Sequence, residues 1–228
     1  MTSIPYIDIH SHSVINDPET IFVQNIYPGE RFAAFSGRNF YSVGLHPWHI
    51  KIPDENNKLL EMVEDALEFD HVIFIGECGL DKKAKTNFEE QRRVFNAQAF
   101  MAEEFQKPLI IHCVSAFNEV LELHKTLHPS MPWIMHRFSG NIQITKQLEN
   151  RNILFSFGEN LFYKNSKAID SFLYLPLNKI LFETDECKRN VEEIYQQASI
   201  LKNISIDLLK QAVWDNFNRI EKKLLFNQ

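Results

Sequence analysis

Two histidines stand two residues apart in the segment YIDIHSHS, residues 6–13, directly after an apolar run. Side chains at positions i and i+2 of an extended strand point to the same face. The imidazole rings of His10 and His12 are therefore expected to converge on one point just beyond the apolar part of the strand. Imidazole nitrogens bind divalent metal ions. This pair alone does not establish a metal site, because His-x-His segments also occur by chance in loops.

Other apolar runs of the chain also end in a side chain that can bind a metal ion. These side chains are His46 in SVGLHPWH, Glu77 in VIFIGE, His112 in LIIH, His136 in WIMH and Asp185 in ILFETD. Residues that share a strand face with these ends are mostly apolar, such as Ile75 before Glu77. Glu183 shares the face of Asp185 and has to be hydrogen-bonded there. A solvated rim does not explain so many His, Asp and Glu residues at strand ends, so the pattern predicts one shared metal site.

The types of donor predict which ions bind and what they do. The predicted metal ligands are His10, His12, Glu77, His112, His136 and Asp185. Imidazole and carboxylate donors suit Zn, Mn, Ni or Fe, and a bridging carboxylate also accepts Mg when water completes the shell. So many ligands favour two divalent ions over one. Two ions about 3.5–4 Å apart generate hydroxide from water and clamp the oxygens of a displacement reaction, which is hydrolase chemistry.

Eight apolar runs have to position these side chains. They are IPYIDI, TIFVQNI, FYSVGL, HVIFIG, KPLIIHC, PWIMH, NILFSFG and NKILFET. Amphipathic stretches with helical spacing separate many of them, such as residues 54–69 and 87–107. Strands that alternate with helices predict parallel pairing, and eight of them predict a (β/α)8 TIM barrel of the α/β class. The carboxyl ends of the strands lie on one face of such a barrel, so residues distant in sequence meet there.

Residues 1–228 are predicted to form a single domain, because no Gly/Ser/Pro-rich linker interrupts this pattern. The early βα units are expected to be trimmed. The segment after His12 has no room for a full helix, and YPGERFAAFSGRN, residues 27–39, holds at most a short one. Ser205 is a plausible N-cap for the last helix. A doubly wound open sheet is the alternative fold, but no Gly-rich phosphate turn follows the first strand.

Composition limits the compartment and the partners. The net charge is -6 and the pI is near 5.9, which argues against a broad basic surface for nucleic acid. Cys78, Cys113 and Cys187 show no CxxC spacing, so neither a disulfide framework nor a zinc finger is predicted. We recognise no pattern of a secretory signal or of a membrane span in the sequence. A cytoplasmic protein is therefore expected, with no membrane partner and no inferred protein partner.

As an ordered set, several segments closely resemble the TatD family of metal-dependent deoxyribonucleases, within the amidohydrolase-like superfamily of metal-binding barrels. The segments are DIHSH, VGLHPWH, IGECGLD, IIHC, HRFSG and FETD. The resemblance runs from residue 6 to about residue 187, and DNFNRI resembles the closing helix of the family. Any one motif is weak, whereas the ordered set is specific. The resemblance implies a metal-dependent hydrolase that cleaves phosphodiester bonds of DNA.

The resemblance also implies a role for each residue of the site. One ion is held by His10, His12 and Asp185, the second by His112 and His136, and Glu77 bridges them. Asp185 and Glu77 are the predicted catalytic residues, with Asp185 as the base that takes a proton from water. His46 matches a non-ligand active-site histidine and is predicted to contact substrate. Arg137 is predicted to bind substrate phosphate through its guanidinium fork, with an ion pair across the barrel rim as the alternative.

Two features of the sequence bear on how closely it follows the family. Glu77 occupies the strand-four position where many barrel amidohydrolases carry a carboxylated lysine, and Lys82 and Lys83 fall beyond that strand end. This favours the TatD branch. The segment ETDECKRNVEEIYQQ keeps Arg189 and Asn190 of the family loop but lacks its proline. A shortened or rebuilt substrate loop is therefore expected.

Two other functions stay open. One is a small-molecule amidohydrolase or phosphoesterase on the same binuclear site, which a narrow apolar pocket would favour. The other is a metal-binding protein without turnover. A basic pocket rim would favour DNA, and the candidate rim charges are Lys82, Arg137, Lys164, Lys188 and Arg189.

The remaining histidines and several aromatic residues are given structural roles. Histidines expected to face solvent or to cap helices are His71, His124 and His128, and His49 is expected in a loop. Aromatic residues expected in the core rather than under a nucleobase are Trp48, Phe117, Phe138 and Phe157. A position lining the pocket is the alternative for Trp48.

Overall fold

The computed structural model describes residues 4–13, 17–30 and 39–225. Its strands lie side by side in chain order and every neighbouring pair is parallel. The strands are β1 (Tyr6–Ser11), β2 (Thr20–Ile26), β3 (Asn39–Val43), β4 (Val72–Asp81), β5 (Leu109–Val114), β6 (Trp133–Met135), β7 (Ile153–Phe157) and β8 (Ile180–Phe182). Each of the eight apolar runs thus overlaps one strand, and the predicted TIM barrel is confirmed.

The barrel closes between its last and first strands through the residues that follow β8. The backbone N–H of Asp185 donates to the carbonyl of His10 at 2.9 Å, and that of His12 donates to the carbonyl of Asp185 at 3.3 Å. Thr184 donates to the buried carboxylate of Asp8 through its backbone N–H at 3.0 Å and its hydroxyl at 2.6 Å. Closure therefore places Asp185 beside the two N-terminal histidines.

Helices pack around the strands. They are α1 (Pro53–Leu67), α2 (Phe88–Glu104), α3 (Phe117–Leu127), α4 (Ile142–Leu148), α5 (Lys167–Tyr174), α6 (Val191–Lys202) and α7 (Ile206–Leu225). Their starts follow local signals in the sequence. Asn87 caps α2, and Ser205 caps α7 as predicted, because its hydroxyl accepts from the N–H of Leu208 at 3.2 Å. Among the described helices, none combines the length and the apolar character needed to cross a membrane.

The first βα unit is trimmed, as predicted, since the described residues between β1 and β2 contain no helix. The second trimmed unit was expected at YPGERFAAFSGRN, most of which lies outside the described residues. A short 3-10 helix, Pro47–His49, follows β3 before α1 begins. The mouth of the barrel is therefore built by short connections on this side.

The core confirms part of the aromatic assignment. Phe138 and Phe157 are buried in it, and Phe117 packs against it. The prediction for Trp48 was wrong, because its side chain is 62% exposed. The 3-10 helix after β3 lies at the barrel mouth, outside the layer between strands and helices, and it carries this indole ring with it.

Of the three histidines expected at the surface, two are exposed and one is buried. His71 and His128 are exposed, as predicted. His124 is buried, so that prediction was wrong. It stands four residues after Val120, on the face of α3 that packs inward, and its ring meets Trp133 edge-on at 4.9 Å. Burial lowers the pKa of His124 to about 4, which keeps the ring neutral in the core.

Candidate metal centre

Glu77 lies among imidazole rings at the carboxyl-terminal mouth of the barrel, with a side chain only 6% exposed. Its Oε2 lies 3.3 Å from Nε2 of His10 and 3.8 Å from Nε2 of His12. Its Oε1 lies 2.6 Å from Nδ1 of His112 and 3.4 Å from Nε2 of His136. The two oxygens of one carboxylate therefore face two different pairs of histidines.

Asp185 joins the cluster on the side of the N-terminal histidines. Its Oδ1 lies 3.5 Å from Nε2 of His12 and 3.9 Å from Nε2 of His10. Its Oδ2 lies 3.1 Å from a guanidinium nitrogen of Arg137. The backbone of Asp185 has a φ of 55°, a left-handed conformation that Asp tolerates better than most residues. All six residues predicted as ligands are thus brought together.

The donor groups suit divalent metal ions. Three sets of donors each lie within 4.8 Å of one another: His10, His12 and Glu77; His10, His136 and Asp185; His46, Glu77 and His112. Nε2 of His10 is buried and makes no hydrogen bond to the described residues. Buried polar atoms without a partner are rare because they lose the hydrogen bonds of water. A bound cation would satisfy this nitrogen, and mixed imidazole and carboxylate donors are those that Zn, Mn, Ni and Fe accept.

The charges of the cluster also favour a cation. Burial raises the pKa of Glu77, but the charge of His136 and the hydrogen bond of His112 bring it well below its usual value. Burial lowers the pKa of His136, but the carboxylates of Glu183 and Glu77 raise it to about 10. The carboxylates that keep a proton on this ring also attract a divalent ion. Such an ion binds imidazole in its neutral form.

His46 lies in the same cluster, but one of its ring nitrogens already accepts a hydrogen bond from the backbone. Its Nδ1 accepts a hydrogen bond from the backbone N–H of Trp48 at 3.1 Å, so the hydrogen of the neutral ring is on Nε2. Burial lowers the pKa of His46 and favours that neutral form, although Glu77 opposes the shift. Nε2 lies 3.3 Å from Oε1 of Glu77. This arrangement makes His46 a hydrogen-bond donor and supports its predicted contact with substrate.

Comparison with known proteins identifies the family. The family model of the TatD related DNases matches residues 29–222. The chain belongs to the TatD-related DNase family. It is 26% identical over 197 residues to YabD, an uncharacterized metal-dependent hydrolase of Bacillus subtilis, covering 79% of this chain and 76% of YabD.

Two further TatD-family comparisons add detail. The 3'-5' RNA nuclease TATDN2 of Homo sapiens is 31% identical over 149 residues, which cover 62% of this chain and 19% of that protein. The crystal structure of YjjV, a TatD homologue of Escherichia coli, superimposes with a TM-score of 0.82 at 21% identity, covering 94% of this chain and 97% of YjjV. The last likeness confirms the barrel fold.

Glu183 is an outer partner of this TatD-family site. Its side chain is fully buried and its Oε1 lies 2.9 Å from Nδ1 of His136. Burial raises the pKa of Glu183, but the charge of His136 outweighs it and lowers the pKa overall. A carboxylate on the far nitrogen fixes the ring and turns Nε2 toward Glu77. The parity of Glu183 with Asp185 was the signal in the sequence, although it did not reveal which residue Glu183 binds.

Asp81 is the corresponding partner of His112, and it was not predicted. Its Oδ2 lies 3.3 Å from Nε2 of His112 and accepts a hydrogen bond from Nε1 of Trp48 at 2.6 Å. Its Oδ1 accepts from the backbone N–H of Lys83 at 2.7 Å. The available signal was an acidic residue at the end of β4 in IGECGLD.

Asn25 and Asp8 hold the backbone of this TatD-family site, and neither was predicted. Oδ1 of Asn25 accepts from the N–H of Glu77 at 2.7 Å and from the hydroxyl of Ser42 at 3.0 Å. Burial raises the pKa of Asp8 to about 7, although hydrogen bonds from Thr184 oppose the shift. Both are polar residues inside apolar strand runs, which is the signal that could have found them.

The Glu183→Gln variant is expected to weaken metal binding by about 10–100-fold, the usual effect of losing a carboxylate that orients a ligating histidine. Glutamine keeps the volume but lacks the charge that holds the Nδ1 hydrogen of His136. Competition with a chelator of known affinity measures the change, with Glu122→Gln on the exposed surface of α3 as the matched control. An affinity equal to that of the control would mean that packing alone orients His136.

Proposed function

We propose that this chain is a divalent-metal-dependent hydrolase that cleaves phosphodiester bonds of DNA with two ions of Zn, Mn, Ni, Fe or Mg. The position of Glu77 carries the proposal, because its two oxygens face separate sets of histidines, as required of a carboxylate that bridges two ions. Membership in a family of TatD related DNases supports DNA as the substrate.

The predicted ligands would divide between two positions. When bound, the ions would lower the pKa of water and neutralise charge on the phosphate oxygens. The resemblance to the family would assign one ion to His10, His12 and Asp185 and the other to His112 and His136, with Glu77 between them.

Three side chains then act on the water and on the phosphate. Asp185 accepts the proton of the attacking water while the water oxygen bonds to phosphorus and the bond from phosphorus to the sugar oxygen breaks. The sugar oxygen leaves with the electron pair of that bond and takes up a proton from solvent. The Nε2–H of His46 donates a hydrogen bond to a phosphate oxygen. Arg137, whose side chain is 52% exposed, offers its remaining guanidinium N–H groups to the same phosphate.

The cavity at the barrel mouth suits a nucleotide better than a small amide. Its volume is about 800 Å³, toward the upper end of ligand pockets. Of the candidate rim charges, Arg137 lines it, whereas Lys82 pairs with Glu119 and Arg189 lies 4.0 Å over the ring of Phe162. Among the described residues, Arg137 is therefore the one Lys or Arg on the cavity wall.

The Arg137→Ala variant is expected to raise KM for a dinucleoside monophosphate by about tenfold, the low end of the effect of one charged hydrogen bond. Exposure of the side chain keeps the effect small. Metal content should not change, because Arg137 contacts only one oxygen of Asp185. Steady-state kinetics and metal analysis check both statements, with Lys164→Ala as the control on the exposed rim. An unaltered KM would leave Arg137 as an ion-pair partner of Asp185.

The experiment that tests the function is an assay of metal-reconstituted protein on a matched panel of substrates. The panel contains single-stranded and duplex DNA, RNA of the same sequence, a phosphomonoester and an amide. Metal-dependent cleavage of DNA is expected. Cleavage of the amide or the monoester alone would replace the proposal with a small-molecule hydrolase, and stoichiometric metal without turnover would replace it with a metal-binding protein.

RNA is the second candidate substrate. The observation in its favour is the 31% identity to a human protein named as a 3'-5' RNA nuclease. DNA and RNA share the phosphodiester on which the proposed chemistry acts and differ at the 2'-hydroxyl. Comparison of kcat/KM for DNA and RNA of one sequence decides between them.

We also propose that residues 1–228 form one domain and that the protein acts in the cytoplasm. One continuous sheet of eight strands supports the first statement. Cys78, Cys113 and Cys187 are free thiols, which supports a reducing compartment.

A further inference from the structure

Trp48 is a large exposed side chain on the wall of the cavity, and the proposed mechanism gives it no role. It is 62% exposed, although side chains of this size are mostly buried in folded proteins. The short 3-10 helix Pro47–His49 places it two residues after His46, so it stands beside the candidate metal centre. A substrate with its phosphate at Glu77 would have a neighbouring group next to this indole.

The indole of Trp48 is held in position before any substrate binds. Its Nε1–H donates to Oδ2 of Asp81 at 2.6 Å. Its ring meets His46 at 5.1 Å and 86°, and His112 at 5.9 Å and 71°. These are edge contacts, so together with the large exposed fraction they leave indole surface open to a ligand. A preorganised surface binds a ligand at a lower cost in conformational entropy than a mobile one.

Among the described residues, few basic side chains line the cavity. Arg137 is the sole Lys or Arg that lines the cavity within the described part of the chain, and Glu30 and Glu186 line it as well. Counterion release by basic residues is the usual source of affinity for nucleic acid, and the described residues of the cavity offer little of it. The other common source is stacking of bases on aromatic side chains, which does not depend on charge.

Aromatic surface continues beyond Trp48. Tyr27 and His49 also line the cavity, with their rings in edge contact at 4.9 Å. Within the part of the chain that the structure describes, this side of the cavity offers flat rings and no Lys or Arg. It suits an uncharged planar group, whereas the phosphate belongs with Arg137.

We propose that Trp48 stacks on the nucleobase next to the scissile phosphate. Every base has a flat face, so the exposed indole can add affinity for the substrate without adding charge. The stacking subsite rests on the proposed phosphodiesterase function and names the part of the substrate that lies beside the phosphate.

The test uses a substrate with a single phosphodiester, thymidylyl-thymidine, and two analogues that lack the base on one side or the other. Trp48→Ala is expected to lower kcat/KM for the complete dinucleotide by about 5- to 150-fold, the range for loss of base stacking on an aromatic side chain. The effect should be much smaller for the one analogue that lacks the stacked base. Trp48→Phe should retain most of the activity, because it keeps an aromatic face while losing the hydrogen bond to Asp81.

A merely structural role of Trp48 predicts a different result. If the indole only supports Asp81 and His112, Trp48→Ala lowers kcat/KM equally for all three substrates and Trp48→Phe is as poor as Trp48→Ala. That result overturns the stacking proposal, as does an unchanged kcat/KM in Trp48→Ala.

Equilibrium binding separates failure of the subsite from failure of the proposed function. A stacked base quenches indole fluorescence, so a single-stranded tetranucleotide should quench the wild-type protein more than an abasic tetranucleotide and more than it quenches Trp48→Phe. This difference without any phosphodiester cleavage would retain the subsite and reject the hydrolase. Phosphodiester cleavage without this difference in quenching would retain the hydrolase and reject the stacking subsite.

Discussion

Replacing Glu77 with glutamine is expected to remove most bound metal and to lower hydrolysis by more than about 100-fold, beyond the 10–100-fold effect of losing an outer partner of a ligand. Glu77 lies 3.3 Å from His10 on one side and 2.6 Å from His112 on the other. Glutamine retains one oxygen and turns an NH2 group, which binds no cation, toward the other set of donors. Metal content after dialysis and hydrolysis of thymidylyl-thymidine are measured on the same preparation.

The control for Glu77→Gln is Glu64→Gln, which changes an exposed carboxyl of α1 in the same way. Circular dichroism shows whether each variant keeps its helices. A variant that is folded and holds one ion per chain would assign the lost ion to the side facing NH2. Two ions per chain at wild-type affinity would contradict the bridging role of Glu77.

The fold was predictable because each strand of a barrel is a short local signal. Even β8, with three residues, follows from the run NKILFET, and the shared parity of Ile73, Ile75 and Glu77 predicts one face of β4. Eight such runs predict a parallel barrel. Because the carboxyl ends of its strands lie on one face, His10, Glu77 and His112 are expected to lie close together. The convergence of the site thus follows from topology, while the assignment of each ion stays a prediction.

The outer partners were less accessible to prediction, because their roles depend on three-dimensional distances. That Glu183 binds Nδ1 of His136, and Asp81 lies near Nε2 of His112, depends on which nitrogen of each ring faces Glu77. No spacing in the sequence encodes the rotation of an imidazole ring.

Trp48 and His124 show a second limit of reasoning from the sequence. Both were assigned by the average behaviour of their residue type, Trp48 to the core and His124 to the surface. The short 3-10 helix after β3 exposes the first, and the inward face of α3 buries the second. Tertiary position overrides residue type in both cases.

Asp185 is expected to be both a metal ligand and the base of the reaction, so Asp185→Asn should reduce turnover by about 10²–10⁴-fold, the usual contribution of general-base catalysis. Its two oxygens have different neighbours: Oδ1 lies 3.5 Å from His12, and Oδ2 lies 3.1 Å from Arg137. Asparagine keeps one oxygen for ligation but has no basic oxygen to take the proton of water. Metal content should fall less than turnover, because His10, His12 and Glu77 remain.

Asparagine is also the replacement that disturbs the backbone least. The φ of 55° at Asp185 lies in the left-handed region, which Asn and Asp occupy more readily than other residues with a side chain. The N–H of Asp185 that closes the barrel onto His10 is kept. Alanine would add backbone strain to the loss of the carboxylate, so its effect on turnover could not be assigned to the base.

The two roles of Asp185 separate when bound metal and hydrolysis rate are measured on one preparation of Asp185→Asn, with Asp65→Asn on the exposed face of α1 as the control. Turnover that falls by orders of magnitude while both ions stay bound identifies the base. Metal and turnover that fall in parallel identify Asp185 as a ligand alone. Hydrolysis near the rate of the control rejects the role of Asp185 as the base, because asparagine has no basic oxygen to take the proton of water.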